Sequence, residues 1–294
     1  MIGLDQIPSY LHDWPALLVA AMALMGLVVG VLTGLFGVGG AFLITPMLNV
    51  LLGIPYTLAA GSSLSFTLGN SSGAWARHMR LGNVAIKTVT ILAGSAVCGT
   101  ILGADLHVHL KTVFGVQTFT LLMHGMFLIV LLTSAYLVWR PSAPASGLSL
   151  LQRLPVPPRI TIRAARLRNI SLPGLCAVGL AVGVLTGLLG IGGGVLFVPV
   201  MLLVVGLTVH QTVGTSLGVV LFGSLAGAIL YGAKGEASLW IVMPLLIGSS
   251  VGVQIGSWLC SRLHAIRIRR YFALLVVGVA AVIAIDLVSK LLAD

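Results

Sequence analysis

Residues 30–40 read GVLTGLFGVGG, and residues 183–193 read GVLTGLLGIGG. The two stretches differ only at Phe36/Leu189 and Val38/Ile191. The same offset of 153 aligns Pro46 with Pro199, Gly53 with Gly206, Gly61 with Gly214, Ser63 with Ser216, Gly99 with Gly252 and Gly103 with Gly256. Self-similarity at one fixed offset marks a duplication. The chain reads as two homologous halves, 1–139 and 171–294, joined by a basic connection at 140–170.

What surrounds the repeated stretches is apolar. Of 294 residues, 58% are hydrophobic and only 7% are charged, where a soluble domain carries about 25% charged residues. Mean hydropathy is +1.13. Such a chain has too little polar surface for water and suits lipid as its solvent. Apolar runs fall at 15–36, 41–53, 57–76, 85–106 and 112–139, then at 171–189, 195–206, 210–231, 238–260 and 270–289. Helices satisfy their own backbone in a bilayer and open strands do not, and the alternation of a membrane β-barrel is absent. The fold class is an all-α polytopic membrane protein. Asp5 and Asp13 precede the first run with no basic residue, so that run reads as a retained helix rather than a cleaved signal.

The short runs, 41–53 and 195–206, give roughly 18–20 Å of helix against a hydrocarbon core of about 30 Å. That length favours a re-entrant element. If each long–short pair enters and leaves on one side, a half makes three net crossings, and the halves are inverted. The charges give a second test. Thirteen of the sixteen basic residues sit in three stretches: Arg77, Arg80 and Lys87; Arg140, Arg153, Arg159, Arg163, Arg166 and Arg168; and Arg262, Arg267, Arg269 and Arg270. The cluster of half two lies one connection later than that of half one. All three reach the cytoplasmic side only if the repeats are antiparallel. Both termini then face outside and 140–170 is cytoplasmic. The expected architecture is two inverted repeats, each with a broken, re-entrant helix pair plus three spanning helices. The net charge of +10 is thus a topology signal with lipid as its neighbour, and no module for nucleic acid accompanies it.

Candidate functional residues follow from the breaks. Gly37, Gly39 and Gly40, and Gly190, Gly192, Gly193 and Gly194, interrupt apolar helices ahead of a short helix bearing a proline. Irregular backbone at membrane depth belongs where it is buried or lines a cavity. The N-terminus of a short helix offers unpaired N–H groups and a positive dipole end to an anion. Two such tips would meet near the midplane, where transporter sites lie. Ridges such as Gly26/Gly30/Gly34 and Gly248/Gly252/Gly256 read instead as close helix packing. Thr33 and Thr186 sit just before the breaks, and Ser62, Ser63, Thr215 and Ser216 occupy equivalent places beyond them. Their hydroxyls can replace an oxyanion's hydration without a full counter-charge, or bond their own helix backbone. Asn70 has no polar counterpart in half two.

His124, in LLMHGMFL, is an intramembrane histidine. It is a candidate proton relay or an interhelical hydrogen-bonding group. Asp105 and Asp286 lie near span ends. Cys98, Cys176 and Cys260 have no metal-ligand or disulfide spacing, and no catalytic or cofactor motif is present, so neither an enzyme nor a metal or cofactor protein is indicated.

GLFGVGGAFLITPML followed by AAGSSLSF, and GLLGIGGGVLFVPVML followed by TVGTSLGV, resemble the sulfite exporter (TauE/SafE) family of bacterial membrane transporters, over roughly 14–139 and 171–289. The resemblance implies a carrier in the bacterial cytoplasmic membrane for sulfite, sulfonates or related organic anions, with the oligomeric state, monomer or homodimer, left open. Departures from the pattern are Ala41 opposite Gly194, Ser62 opposite Thr215, and a long Arg-rich connection. An anion channel of the same architecture, or a non-transporting membrane scaffold, are the competing readings.

Overall fold

A computed structural model describes residues 15–139, 156–162 and 167–293. Arg140, Arg153, Arg163 and Arg166, and the acidic N-terminal residues Asp5 and Asp13, lie outside the described residues.

Helix α1 (Pro15–Phe36) ends at the first glycine break. Helix α2 (Ala41–Pro46) follows and widens after Pro46 into a π turn, Met47–Leu51. A proline offers no N–H to the helical ladder, and the wider turn begins where that bond is missing. Helix α3 (Tyr56–Arg80) comes next. Helix α4 (Ile86–Trp139) has 54 residues, about 80 Å of helix, far more than one crossing needs. Gly115, at φ 71 and ψ 170, divides it into α4a (86–114) and α4b (116–139). The two limbs fold back on each other, with the His107 and Phe119 rings 4.8 Å apart.

In the second half, α5 (Leu172–Leu189) ends at the second break. Helix α6 (Gly194–Val200) again passes into a π turn, Met201–Val205. Helices α7 (Val209–Ala233), α8 (Leu239–Arg262) and α9 (Ala265–Ala293) complete the chain. Thr208 and Gln211 close a reciprocal capping box at the start of α7, satisfying two N–H groups that the helix leaves open. The connection holds one feature that the apolar runs do not announce. Strands β1 (Arg159–Ile162) and β2 (Leu167–Ser171) pair antiparallel as a hairpin before α5.

Among the described residues, six helices are long and apolar enough to cross a membrane: α1, α4, α5, α7, α8 and α9. Helix α3 matches α7 in length, 25 residues each, but carries Ser62, Ser63, Ser65, Thr67, Asn70, Ser71 and Ser72. Lipid would not accept such a face. Accordingly Ser62, Ser63, Thr67, Asn70 and Ser71 are all buried in protein. The molecule's outside carries the reverse pattern: Leu17, Leu24, Ile129, Trp240, Ile247, Val251 and Ile285 are exposed, as a lipid-facing surface requires.

Contacts between the halves are reciprocal. Helix α1 runs parallel to α8, with Gly26 against Leu245, Gly30 against Ser249 and Gly34 against Val253. Helix α5 runs parallel to α4a in the same manner, with Gly183 against Ala96 and Gly187 against Thr100. At these positions an added Cβ would run into the partner's backbone. The glycine ridges therefore serve close helix packing, as expected of small-residue spacing. Helices α3 and α7, equivalent at the offset of 153, lie side by side and antiparallel: Leu64 meets Gly227 and Trp75 meets Gly218.

These pairings gather the charges. Asn83 backs onto Gly214 and the Ala85 N–H donates to Thr215, while Arg269 donates to the Val138 carbonyl beside Thr212 and Val213. The 77–87 and 262–270 clusters thus share one end of the bundle. The other end carries Lys111–Glu236 at 2.9 Å and Lys234–Asp105 at 3.2 Å. A recess of about 460 Å³ opens there, with Tyr56, Phe119 and Thr120 among its lining residues.

Candidate functional site

The two breaks cross in the middle of the bundle. Gly37, Gly39, Gly40, Gly190, Gly192 and Gly193 all have positive φ, a backbone that a Cβ disfavours by about 1–2 kcal/mol. Gly194 differs: its Cα lies against the Val38 carbonyl, so a side chain there would strike the first break's backbone. Its counterpart Ala41 meets Gly192 with room for the methyl, 3.1 Å from a Cβ built at Gly192. The departure from symmetry at 41/194 is thus a matter of which break lies over which.

Between them lies a polar cluster supplied mainly by α3. Asn70 donates through Nδ2 to Thr33 Oγ1 at 2.8 Å and to the Gly39 carbonyl at 2.9 Å. The Thr67 methyl lies against both Gly39 and Gly192. Ser71 Oγ faces Gly39, and Ser224 Oγ faces Gly192. Ser71 and Ser224 are themselves equivalent at the offset of 153. Ser63, Thr67 and Ser71 recur every fourth residue, the spacing that lines one face of a helix. The oxygens Ser63 Oγ, Thr67 Oγ1, Asn70 Oδ1, Ser71 Oγ and Ser224 Oγ are buried without a hydrogen-bond partner. An unpaired buried hydroxyl is costly, so a group of them calls for an explanation.

The other hydroxyls have structural partners. Ser62 accepts from the Ser238 N–H at 3.0 Å, and Thr215 accepts from the Ala85 N–H at 3.0 Å. These are equivalent bonds at the starts of α8 and α4a. Ser216 donates to the Gly37 carbonyl at 2.7 Å. Thr186 donates to Val182 of its own helix at 2.9 Å.

The carbonyls at the end of α5 are capped by other helices. Tyr231 OH donates to Gly187 at 2.8 Å, His107 Nδ1 bonds Leu188 at 2.7 Å, Tyr56 OH donates to Leu189 at 2.8 Å, and Thr45 Oγ1 donates to Gly190 at 3.0 Å. A helix C-terminus leaves such carbonyls open, and lipid cannot fill them. At the first break His78 Nε2 bonds Gly34 at 2.9 Å. His78 is the equivalent of Tyr231.

His124 lies apart from the cluster, on α4b. Its Nδ1 is 3.5 Å from Asp286 Oδ2 on α9, and its ring meets Tyr56 edge-on at 5.6 Å.

The breaks, Thr33 and the paired hydroxyls stand out in the sequence. Thr67, Ser71, Ser224 and the capping side chains are not among the candidates named from it. Ser71/Ser224 was legible at the repeat offset; the caps are long-range contacts with no local signal. Asn70, without a polar counterpart, proves to bridge Thr33 and Gly39.

Comparison with known proteins agrees with the geometry. The sulfite exporter TauE/SafE family model matches residues 22–283. "Probable membrane transporter protein YjnA" of Bacillus subtilis is 30% identical over 242 residues, covering 82% of this chain and 90% of that protein. "Probable membrane transporter protein MJ0441" of Methanocaldococcus jannaschii is 28% identical, covering 81% and 86%. A "Probable membrane transporter protein" of Xylella fastidiosa strain Temecula1 is 27% identical, covering 87% and 90%. No solved structure matches at a significant level. With a transporter-family model matched across most of its length, on a bundle of six long apolar helices, this chain belongs to the sulfite exporter TauE/SafE family of membrane transporters.

Proposed function

We propose that the protein is a secondary carrier, acting as an exporter, for small anions such as sulfite, sulfonates and related organosulfur anions, in the bacterial cytoplasmic membrane. The observation that supports this most is the group of unpaired hydroxyls, Thr67, Ser71 and Ser224, gathered where the two breaks cross. Neutral donors replace an anion's hydration without holding it by a full opposite charge, so the ion both enters and leaves. Thr33, Ser63, Thr186, Ser216 and the backbone of Gly37–Gly40 and Gly190–Gly194 frame the site, and Ser62 and Thr215 hold the neighbouring helices in place.

Alternating access then comes from one repeat, 1–139, moving against the other, 171–294. The antiparallel packing of the equivalent helices α3 and α7 supports an inverted relation, with α1–α2 and α5–α6 as re-entrant pairs. The shared end of the 77–87 and 262–270 clusters supports a cytoplasmic basic face, in keeping with a 140–170 connection inside and both termini outside. An inside-negative potential contributes about 2.3 kcal/mol per charge per 100 mV, a force that favours anion export.

The test is flux through the purified protein in liposomes, across sulfite, sulfate, sulfoacetate, taurine and simple carboxylates. Saturable flux of at least one anion is expected, and no flux of any would sink the reading. A carrier moves a fixed charge per turnover, whereas a channel conducts without one.

A further inference from the structure

One atom of the polar cluster differs in kind from its neighbours. Ser63, Thr67, Ser71 and Ser224 present hydroxyls, which donate or accept according to how they turn. Asn70 presents a carbonyl oxygen, Oδ1, which accepts only. Asn70 is 2% exposed, and its Oδ1 has no hydrogen-bond partner within the protein.

The other end of the amide fixes which way it faces. Nδ2 stands 2.9 Å from the Gly39 carbonyl and 2.8 Å from Thr33 Oγ1. A backbone carbonyl has no proton to give, so the group that meets Gly39 has to be the NH2. Both amide hydrogens are thereby engaged. Turning the amide over would set two carbonyl oxygens against each other, so Oδ1 is held as an acceptor. Thr67, one turn earlier on α3, and Ser71, the next residue, also lie against Gly39. The acceptor and the unpaired hydroxyls therefore stand at the same break.

A bare oxyanion suits the hydroxyls and not this atom. Its oxygens bring lone pairs and negative charge, which a carbonyl oxygen repels. A buried acceptor left unpaired is costly, so a ligand with an N–H or O–H of its own has the advantage over one that has none. The second half supplies no duplicate, because the equivalent of Asn70 is Gly223. The site thus combines hydroxyls from both halves with one acceptor from the first.

We propose that Asn70 sets the substrate class: a singly charged oxyanion whose own N–H or O–H donates to Oδ1, while its anionic oxygens accept from Thr67, Ser71 and Ser224. This rests on the anion-carrier reading and narrows its substrates. Two kinds of molecule bring that donor, a partly protonated oxyanion such as hydrogensulfite and a sulfonate bearing an amino group. Either crosses with one negative charge, so an inside-negative potential still favours its export.

The experiment uses the full-length protein in liposomes and compares sulfamate with methanesulfonate. Both are singly charged at neutral pH and alike in shape; the sulfur carries an amino group in one and a methyl group in the other. Half-saturation for flux in the wild type should be at least about tenfold lower for sulfamate. Asn70→Leu and Asn70→Ala should erase that preference. A second readout needs no variant. In protein isotope-labelled at the asparagine side-chain carbonyls, sulfamate should lower one carbonyl stretching frequency and methanesulfonate should leave it in place. If neither Asn70 variant folds, this band decides. Sulfite flux on either side of sulfite's second ionisation, with sulfamate as the control, separates the two sources. A rise with the hydrogensulfite fraction assigns the donor to a protonated oxyanion, and sulfite flux that is level or absent assigns it to an amino-bearing sulfonate.

Sulfamate no better than methanesulfonate in the wild type, or an unmoved carbonyl band, overturns this proposal and leaves the carrier reading standing. So does a preference for sulfamate that survives in either Asn70 variant. Absence of flux for every anion tested overturns both.

Discussion

At the second break, four consecutive carbonyls from Gly187 to Gly190 each accept a hydrogen bond from a side chain, supplied by α7, α4a, α3 and α2. The corresponding run at the first break, Gly34 to Gly37, has two such donors among the described residues, His78 and Ser216. Nearly identical sequences are therefore fastened differently. Tyr231 and His78 keep the same cap with different chemistry, whereas the position of His107 holds Cys260 in the other half. Duplication preserved the helix breaks, and divergence acted on what holds them. With the Asn70 bond to Gly39 counted, the first break has three side-chain donors on its carbonyls against four at the second, among the described residues; on the carrier reading proposed above, the second break is then the expected anchored side.

The largest effect in this comparison is expected from alanine at the equivalent central glycines. At Gly39 a methyl would meet Val220 Cγ1 at 2.5 Å and Thr67 Cγ2 at 2.8 Å, on a backbone with φ 78. Strain of about 1–2 kcal/mol adds to overpacking of about 1–3 kcal/mol. Gly39→Ala should lower anion flux at least about tenfold. At Gly192 the nearest atoms are 3.1 and 3.3 Å away, so Gly192→Ala should keep more of the flux. Equal losses would remove the asymmetry. A bulky residue at either position should abolish flux while the protein still folds.

Next come the hydroxyls that have no internal partner. Thr67→Val removes the hydroxyl and keeps the methyl that lies against both breaks, and Ser71→Ala and Ser224→Ala remove the symmetric pair. Each loss of a hydrogen bond to a charged ligand is expected to weaken anion binding by about 1.5–3 kcal/mol, roughly ten- to a hundredfold. Half-saturation for flux measures it. Thermal stability should stay level or rise, because these oxygens have no hydrogen-bond partner within the protein.

The capping side chains should act on stability. Tyr231→Phe and Tyr56→Phe each leave a buried carbonyl of α5 without its partner, at about 1–3 kcal/mol. Hydrogen exchange measures the comparison directly: amides of 41–51 should exchange faster than those of 194–205, and Tyr56→Phe should narrow the gap. Slower exchange in 41–51 would reverse the assignment of the anchored side. The smallest effect belongs to Thr208→Ala, which removes the α7 capping box and should cost about 1 kcal/mol with flux unchanged.

Much of the fold was legible before any coordinates. The repeat offset, the positions of both breaks, the short proline-bearing helices and the spacing of the packing glycines are local features, and local sequence carries them. Helix α3 was harder, because its hydroxyl-rich face suits burial only once α7 and the breaks surround it. Gly115 divides one helical stretch where two separate runs were expected, since nothing in its apolar neighbours stops the helix. The hairpin at 159–171 lies in a connection whose arginines drew attention to charge rather than to strand pairing. Within the site, Ser71 and Ser224 share the repeat offset and were open to inspection. The Asp286 partner of His124 was not, because it depends on α4b and α9 packing antiparallel across the two halves.

The proposed anion site is the place where the two breaks meet. The most direct measurement compares anion flux and thermal unfolding of the wild type with those of the Ser71→Ala/Ser224→Ala double variant, in the same liposome and detergent preparations. The predicted result is a loss of flux of more than about tenfold, consistent with two lost hydrogen bonds to the ion, with an unfolding midpoint at or above that of the wild type. Wild-type flux in the double variant would place the anion elsewhere and contradict the account.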